Sequence, residues 1–165
     1  NVPVYWCGEE LPAIDNDFIQ IFHPCVEADH WTTKLRAQIE QIPEEYIFVW
    51  LDDLIPQMDI SITFGHLYEL FTDASMDALR IMGRKSAASY EMAGHCWGSA
   101  VYKLTPYSRY RVSFSPNIYH KSFLLEVLQR DESPWACELN SRGQFQDRDI
   151  YAYHINGWYE NRIVQ

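Results

Sequence analysis

The segment from Tyr46 to Leu54 reads YIFVWLDDL, and this stretch decides the fold class. Its first six residues form a continuous apolar run of strand length, and two carboxylates follow at once. Continuous runs of this kind are typical of strands that are covered on both faces, as in α/β sheets. We therefore expect a central, buried strand over residues 46–51, with Asp52 and Asp53 at its carboxyl end.

Helices are predicted on both sides of this strand in the chain. Apolar residues recur at helical spacing over residues 30–42, where Asp29 suits the N-cap and Pro43 ends the pattern. A second helix is expected to begin at Pro56, with an apolar side made of Phe64, Leu67, Leu70 and Phe71. A third is expected over residues 118–130, with an apolar face made of Tyr119, Phe123 and Val127.

Short β-rich runs predict further strands, at residues 2–7, 19–22, 77–82, 98–104 and 110–114. Near the end, residues 150–155 and 158–164 flank Asn156-Gly157, a dipeptide typical of a tight hairpin turn. Strands and helices alternate in the first part of the chain, and no repeat or linker divides it. We therefore predict one domain over residues 1–165, an α/β sheet with antiparallel additions.

The charge balance excludes some classes of partner. The chain has 23 acidic and 13 basic residues, a formal net charge of −10, so it lacks the basic surface that grips nucleic acid or an anionic bilayer. An anionic small ligand can still bind if a divalent cation lies between it and carboxylates. Aromatic residues make up 15% of the chain, which suits either stacking on sugar or base rings or an aromatic core.

The cysteines and the hydropathy indicate an intracellular setting. Cys7, Cys25, Cys96 and Cys137 are widely spaced, with no C-x-x-C pair, so we expect four reduced thiols rather than a zinc site. No stretch approaches the ~20 apolar residues of a membrane span. We therefore do not expect an integral membrane protein.

Two segments carry residues suited to chemistry. Adjacent carboxylates such as Asp52 and Asp53 repel each other near a buried strand unless a cation compensates, and Mg²⁺ or Mn²⁺ prefers oxygen ligands of this kind. The same pair also occurs in ordinary solvated loops. In Asp131–Glu138, DESPWACE, Trp135 suits stacking on a sugar ring and Glu138 suits a general base, whereas the competing interpretation is a structural turn with a core tryptophan.

Other motifs add little. His120, followed by Lys121, could supply positive charge near a diphosphate, although a solvated helix face explains the pair better. The chain contains no G-x-S-x-G, P-loop or G-x-G-x-x-G motif, so hydrolase, kinase-type and dinucleotide-binding functions lack support.

Taken in order, these stretches resemble a family of bacterial and viral glycosyltransferases that build capsular or surface glycans. The resemblance is carried by WTTKL at 31–35, YIFVWLDDL at 46–54, YRVSFSPNIYHKSFLLEVL at 110–128, ESPWACELN at 132–140 and YHINGW at 153–158. It implies a GT-A-type, Rossmann-like mixed sheet flanked by helices. It also implies that the chain begins after the first strand–helix unit of that fold.

The resemblance further implies the cofactor and the site residues. A nucleoside diphosphate sugar would be the donor, with Mn²⁺ or Mg²⁺ held by a DxD-like motif in which Asp53 contacts the metal and Asp52 the metal shell or the donor ribose. Glu138 would deprotonate the attacking hydroxyl, and Trp135 would shape the acceptor side. The sequence departs from the family pattern in having D-D rather than D-x-D, and Tyr119-His120 where a Trp followed by a basic residue is expected.

The function predicted from these observations is metal-dependent transfer of a sugar from a nucleoside diphosphate sugar to a hydroxyl of a glycan or glycolipid, in the cytoplasm. Two alternatives use the same residues. A noncatalytic carbohydrate-binding module would use the aromatic surplus, and a metal-dependent phosphohydrolase would use the two acids.

Overall fold

The computed structural model of the protein describes residues 4–7, 19–21, 30–51, 54–57, 61–82, 90–155 and 159–161. Its helices are α1 (Trp31–Gln41), α2 (Ser61–Asp73), α3 (Lys121–Val127) and α4 (Pro134–Asn140). Its strands are β1 (Val4–Trp6), β2 (Ile19–Ile21), β3 (Tyr46–Val49), β4 (Leu54–Pro56), β5 (Ala78–Met82), β6 (Tyr90–Cys96), β7 (Ser99–Leu104), β8 (Asn117–His120), β9 (Ile150–His154) and β10 (Tyr159–Asn161).

A six-stranded mixed sheet, in the order β3-β8-β5-β9-β7-β6, forms the middle layer. β5 and β9 are parallel, and the other neighbouring strands of this sheet are antiparallel. As a result β3, β5, β9 and β6 point the same way, and β8 and β7 run against them. Two small sheets accompany it, one of β1 and β2 and one of β4 and β10. The predicted class, an α/β mixed sheet flanked by helices, is confirmed.

Helices cover both faces of this sheet. On one face, α1, α3 and α4 bury apolar side chains against the sheet, among them Leu35, Ile39, Phe123, Val127 and Cys137. On the other face, α2 packs Leu67 and Phe71, with Phe64 and Leu70 half-buried beside them. The predicted apolar side of the second helix is therefore confirmed. In the part of the chain that the structure describes, no helix is both long and apolar enough to cross a membrane.

The first predicted helix is confirmed as α1. Its first turn is held by hydrogen bonds to backbone groups that are distant in the chain. Asp29, the expected N-cap, lies outside the described residues, and His30 at the N-cap position makes no side-chain capping bond. Thr32 is fully buried; its amide donates to Glu132 O at 3.2 Å, and its hydroxyl accepts from Glu132 N at 2.8 Å. The segment that leads into α4 therefore fixes the first turn of α1.

The decisive apolar run does form a strand, but the prediction of a central strand is wrong. Among the described residues, β3 lies at one edge of the six-stranded sheet and pairs with β8 alone. Its faces are nevertheless both covered, because Ile47 is buried on the α1 side while Tyr46 and Phe48 pack against the α2 side. The apolar run thus indicates that both faces of β3 are covered. It does not indicate how many strands pair with β3.

Four further predictions are wrong in detail. The second helix, expected to begin at Pro56, begins at Ser61, because residues 54–56 pair with β10 as β4. Residues 110–114, expected as a strand, lie in the connection between β7 and β8. The helix expected over residues 118–130 is divided into β8 and the shorter α3, because the first residues pair with β3 and β5. The expected hairpin of residues 150–164 does not form, since β10 pairs with β4. Asn156 and Gly157 lie outside the described residues.

The long β7–β8 connection is ordered by a buried arginine. Arg111 is 1% exposed, and its guanidinium donates to the carbonyl oxygens of Gln144 and Arg148, both at 2.8 Å, and to that of Phe145. These bonds tie the connection to the loop between α4 and β9. The next residues, 112–116, therefore enter β8 from a fixed position beside α4.

Candidate functional site

The predicted metal-binding pair, Asp52 and Asp53, lies outside the described residues. The residues on either side are described and are held together, because Leu54 N donates to Leu51 O at 3.2 Å. The indole of Trp50 also donates to Leu54 O, at 2.9 Å. These two hydrogen bonds therefore hold the beginning of β4 close to the carboxyl end of β3.

Strand directions define one edge of the sheet as the place for a ligand. β3, β5, β9 and β6 all end at this edge, and β8 begins there. The register places Val49, the last residue of β3, opposite Asn117, the first residue of β8. In open α/β sheets, ligands bind beyond the carboxyl ends of the strands. We refer to this edge as the carboxyl edge.

A network of hydrogen bonds at this edge is centred on Ser113. The carbonyl of Ser113 accepts from Asn117 Nδ2 at 3.1 Å and from the Tyr119 hydroxyl at 2.7 Å. Its side-chain oxygen lies 2.7 Å from the Ser115 hydroxyl. Burial raises the pKa of Tyr119, and the nearby charge of Glu138 also raises it, so the phenol stays protonated and remains a donor.

Glu138 joins this network from α4. Its Oε1 accepts from Phe114 N at 2.6 Å and from the Ser113 hydroxyl at 3.0 Å. Among the described residues, none donates to Oε2. The two oxygens of this half-buried carboxylate can therefore serve different purposes. Oε1 fixes the loop before β8, while Oε2 can accept a proton.

Trp135 lies one helical turn before Glu138, so the two side chains are neighbours on α4. The structure contradicts the alternative that Trp135 is a core residue, because it is 71% exposed. α4 begins where the sequence suggests a turn: Ser133 caps it by accepting from Ala136 N, and Pro134 occupies the first turn. The site thus combines an exposed indole with a carboxylate at the carboxyl edge.

His120 does not join this arrangement. It is the last residue of β8 and lies opposite Tyr46, at the amino end of β3. Its ring is engaged there with Glu45 at 3.0 Å and with the Ser122 hydroxyl at 2.8 Å. The length of β8 separates it from Asn117 and the carboxyl edge. The structure therefore places His120 apart from Glu138, at the end of a strand rather than on the solvated helix face that the sequence suggested.

Asn117 is a further candidate site residue, which the sequence alone did not indicate. It is fully buried, and its Oδ1 has no hydrogen-bond partner among the described residues. Leaving a buried acceptor unpaired costs about 1–3 kcal/mol, so such atoms call for a ligand or a bound water. Arg80 lies beside it in the register of β5 and β8, and donates to Tyr110 O at 3.1 Å. The signal in the sequence was the run SFSPN, whose small polar residues interrupt the apolar pattern.

No group of three or more His, Cys, Asp or Glu side chains within the described ranges is placed to hold a metal ion. Since Asp52 and Asp53 lie outside these ranges, the expected Mn²⁺ or Mg²⁺ remains a prediction. Carboxylates are the right donors for either ion.

A cavity of about 220 Å³ lies between α3 and α4, and it is separate from this site. Its lining includes Glu126 and Glu132 but neither Glu138 nor Trp135. Both lining acids are already paired, Glu126 with Arg148, and Glu132 with the Asn140 amide at 2.8 Å. Arg130 also lines the cavity, and its guanidinium lies 3.9 Å from the carboxylate of Glu132.

Comparison with known proteins supports the fold alone. No protein-family model and no curated protein sequence matches this chain. Among solved structures, it is similar to a UDP-glucose pyrophosphorylase complexed with UDP-glucose, with a TM-score of 0.54 and 12% sequence identity. The match covers 87% of this chain and 60% of that one, so the chain spans less than two thirds of the enzyme it resembles. The expected Rossmann-like, GT-A-like fold is thereby confirmed.

Proposed function

We propose that this protein acts on nucleotide sugars and transfers a sugar from a nucleoside diphosphate sugar to a hydroxyl of a glycan or glycolipid. The observation that carries the proposal is the position of Glu138, at the carboxyl edge of the sheet, with one carboxylate oxygen available and the exposed Trp135 one turn away. Similarity of fold to an enzyme complexed with UDP-glucose supports the nucleotide-sugar part of the proposal.

Each residue has a defined part in this reaction. Oε2 of Glu138 takes the proton of the acceptor hydroxyl, whose oxygen forms a bond to the anomeric carbon. The bond from that carbon to the diphosphate oxygen breaks, and the nucleoside diphosphate leaves with the electron pair. Trp135 stacks on the acceptor ring. Oδ1 of Asn117 is fully buried and has no hydrogen-bond partner among the described residues, so its proposed partner is a bound water.

The cofactor proposed for this reaction is Mn²⁺ or Mg²⁺ on Asp53, with Asp52 in its shell or on the donor ribose. When bound, the ion neutralises the charge that develops on the departing diphosphate. In a chain with a net charge of −10, these acids would repel an anionic donor, and a cation between them and the diphosphate removes that repulsion. We further propose a cytoplasmic, reducing setting, which the free thiols of Cys7, Cys96 and Cys137 support.

The test compares Glu138→Gln with Glu132→Gln in an assay of sugar transfer from radiolabelled nucleotide sugars. Gln at position 138 keeps an oxygen for Phe114 N and Ser113 but cannot accept a proton, so we expect unchanged donor binding and a turnover lower by about 10²–10⁴-fold. Glu132→Gln keeps its bond to Asn140 and should retain the wild-type rate.

Other outcomes of this assay would redirect the proposal. Full activity in Glu138→Gln would place the base elsewhere. Formation of a nucleoside triphosphate from the nucleotide sugar and added pyrophosphate would favour pyrophosphorylase chemistry, as the name of the similar enzyme indicates. Glycan binding that ignores nucleotides and chelators, without turnover, would favour a noncatalytic carbohydrate-binding module.

A further inference from the structure

The turn between β6 and β7 holds an exposed tryptophan in an unfavourable backbone conformation. Trp97 has φ 52° and the following Gly98 has φ 78°, the pair of positive values found in a type I′ hairpin turn. Asn or Gly is preferred at the first of these positions, and a bulky aromatic residue there costs free energy. Trp97 is nevertheless 64% exposed, so burial of its ring does not account for its presence.

Two contacts from other elements fix this turn. The ring of His66, on α2, stacks on the indole with 3.9 Å between ring centroids and 7° between ring planes. The hydroxyl of Tyr153, on β9, donates to the carbonyl of Cys96 at 2.9 Å. One face of the indole is thus backed by His66. These contacts place the ring at the end of β6, which belongs to the carboxyl edge.

The distribution of charge around Trp97 restricts what can stack on it. No Asp, Glu, Lys or Arg occurs in residues 92–102, which include the turn, or in residues 61–68 around His66, and Glu91 lies opposite Lys103 at the other end of the hairpin. A phosphate or a nucleic acid would find no cation in these segments to pair with, whereas a neutral ring needs none. A flat aromatic face with no charged side chain beside it in these segments is therefore matched to an uncharged ligand with an apolar ring face and hydroxyl groups at its rim.

From these observations we infer that Trp97, backed by His66, is a binding platform for a neutral sugar ring of a glycan. The strained conformation is retained because it presents the indole to this ligand. The platform lies at the β6 end of the carboxyl edge, opposite the β3 end. It stands on contacts independent of Glu138, so it holds whether or not the proposed transfer reaction is correct.

The test uses the full chain labelled with 5-fluorotryptophan, with neutral tetra- to hexasaccharides of glucose, galactose and N-acetylglucosamine as probes. The ¹⁹F resonance that Trp97→Asn removes is assigned to this residue. We expect that resonance to shift on titration with at least one probe. We expect Trp97→Asn to weaken its binding by at least about tenfold, the equivalent of one aromatic stacking contact.

The variants separate binding from folding. Asparagine before Gly98 is a preferred turn sequence, so Trp97→Asn should melt at the wild-type temperature or above. His66→Ala should weaken binding and His66→Phe should restore it, because phenylalanine can back the indole. Wild-type affinity in folded Trp97→Asn, absence of any shift of the Trp97 resonance, or a preference of this resonance for uridine monophosphate over every glycan would each overturn the inference.

Discussion

Glu138 has a structural role that can be measured apart from any activity. Its Oε1 is the acceptor for Phe114 N at 2.6 Å and for the Ser113 hydroxyl, and Phe114 is fully buried. Glu138→Ala leaves that amide without an acceptor, so we expect the free energy of unfolding to fall by about 1–3 kcal/mol. Glu138→Gln should lose less, because its amide oxygen still accepts. Urea denaturation of the two variants measures the difference, and equal losses would show that the hydrogen bonds to Oε1 contribute nothing.

At the same scale, the sequence could place two candidate residues together because they are close in the chain. Trp135 and Glu138 are three residues apart, so their proximity follows from the local helix. Ser113 and Asn117 could not be identified, because their importance arises from contacts with Glu138, 25 residues further on from Ser113, and from an oxygen left unpaired by the pairing of strands. The separation of His120 from the site likewise depends on the direction of β8.

At the scale of elements, two neighbouring threonines of α1 allow its contact with the segment before α4 to be tested. The buried hydroxyl of Thr32 accepts from Glu132 N at 2.8 Å, whereas the hydroxyl of its neighbour Thr33 contacts Asp131 at the surface. Thr32→Val keeps the shape but leaves a backbone amide unpaired, so we expect a loss of about 1–3 kcal/mol in the free energy of unfolding. Thr33→Val is the matched control, with an expected change within about 0.5 kcal/mol. Similar losses in both would rule out the docking role, with urea denaturation as the measurement.

Helices and strands could be predicted where the local sequence pattern agrees with the contacts that the segment makes in the folded protein. α1 and α2 have apolar faces at helical spacing, and both form. Tyr119, Phe123 and Val127 also have helical spacing, but residues 117–120 form β8 because pairing with strands on both sides outweighs the local preference. The partner of β10 is β4, about 100 residues earlier, and no local pattern reports a pairing over that distance.

At the scale of the whole molecule, the net charge of −10 acts on both stability and ligand binding. Self-repulsion destabilises the compact state more than the extended chain. Raising NaCl from about 0.01 M to about 0.15 M shortens the Debye length from about 30 Å to about 8 Å, which screens this repulsion. The midpoint of urea denaturation should therefore rise over this range, and the rise gives the nonspecific effect of salt against which a specific cation is measured.

MnCl₂ at an ionic strength matched by NaCl then tests the predicted metal site at the Asp52–Asp53 pair. Both salts screen the molecule as a whole, but only a cation that binds the folded state at a defined site adds stability that grows with its concentration relative to its Kd. We expect a higher melting temperature in MnCl₂ than in NaCl, and a further rise when a nucleoside diphosphate is added. Replacing both aspartates with Asn should abolish the excess. Replacing Asp131 and Glu132 with Asn and Gln removes the same two charges from the segment before α4 and should preserve it. Equal melting temperatures in the two salts, or an excess that survives the loss of Asp52 and Asp53, would contradict a metal site at this pair. The proposed reaction would then have no cation to connect these two carboxylates with the donor diphosphate.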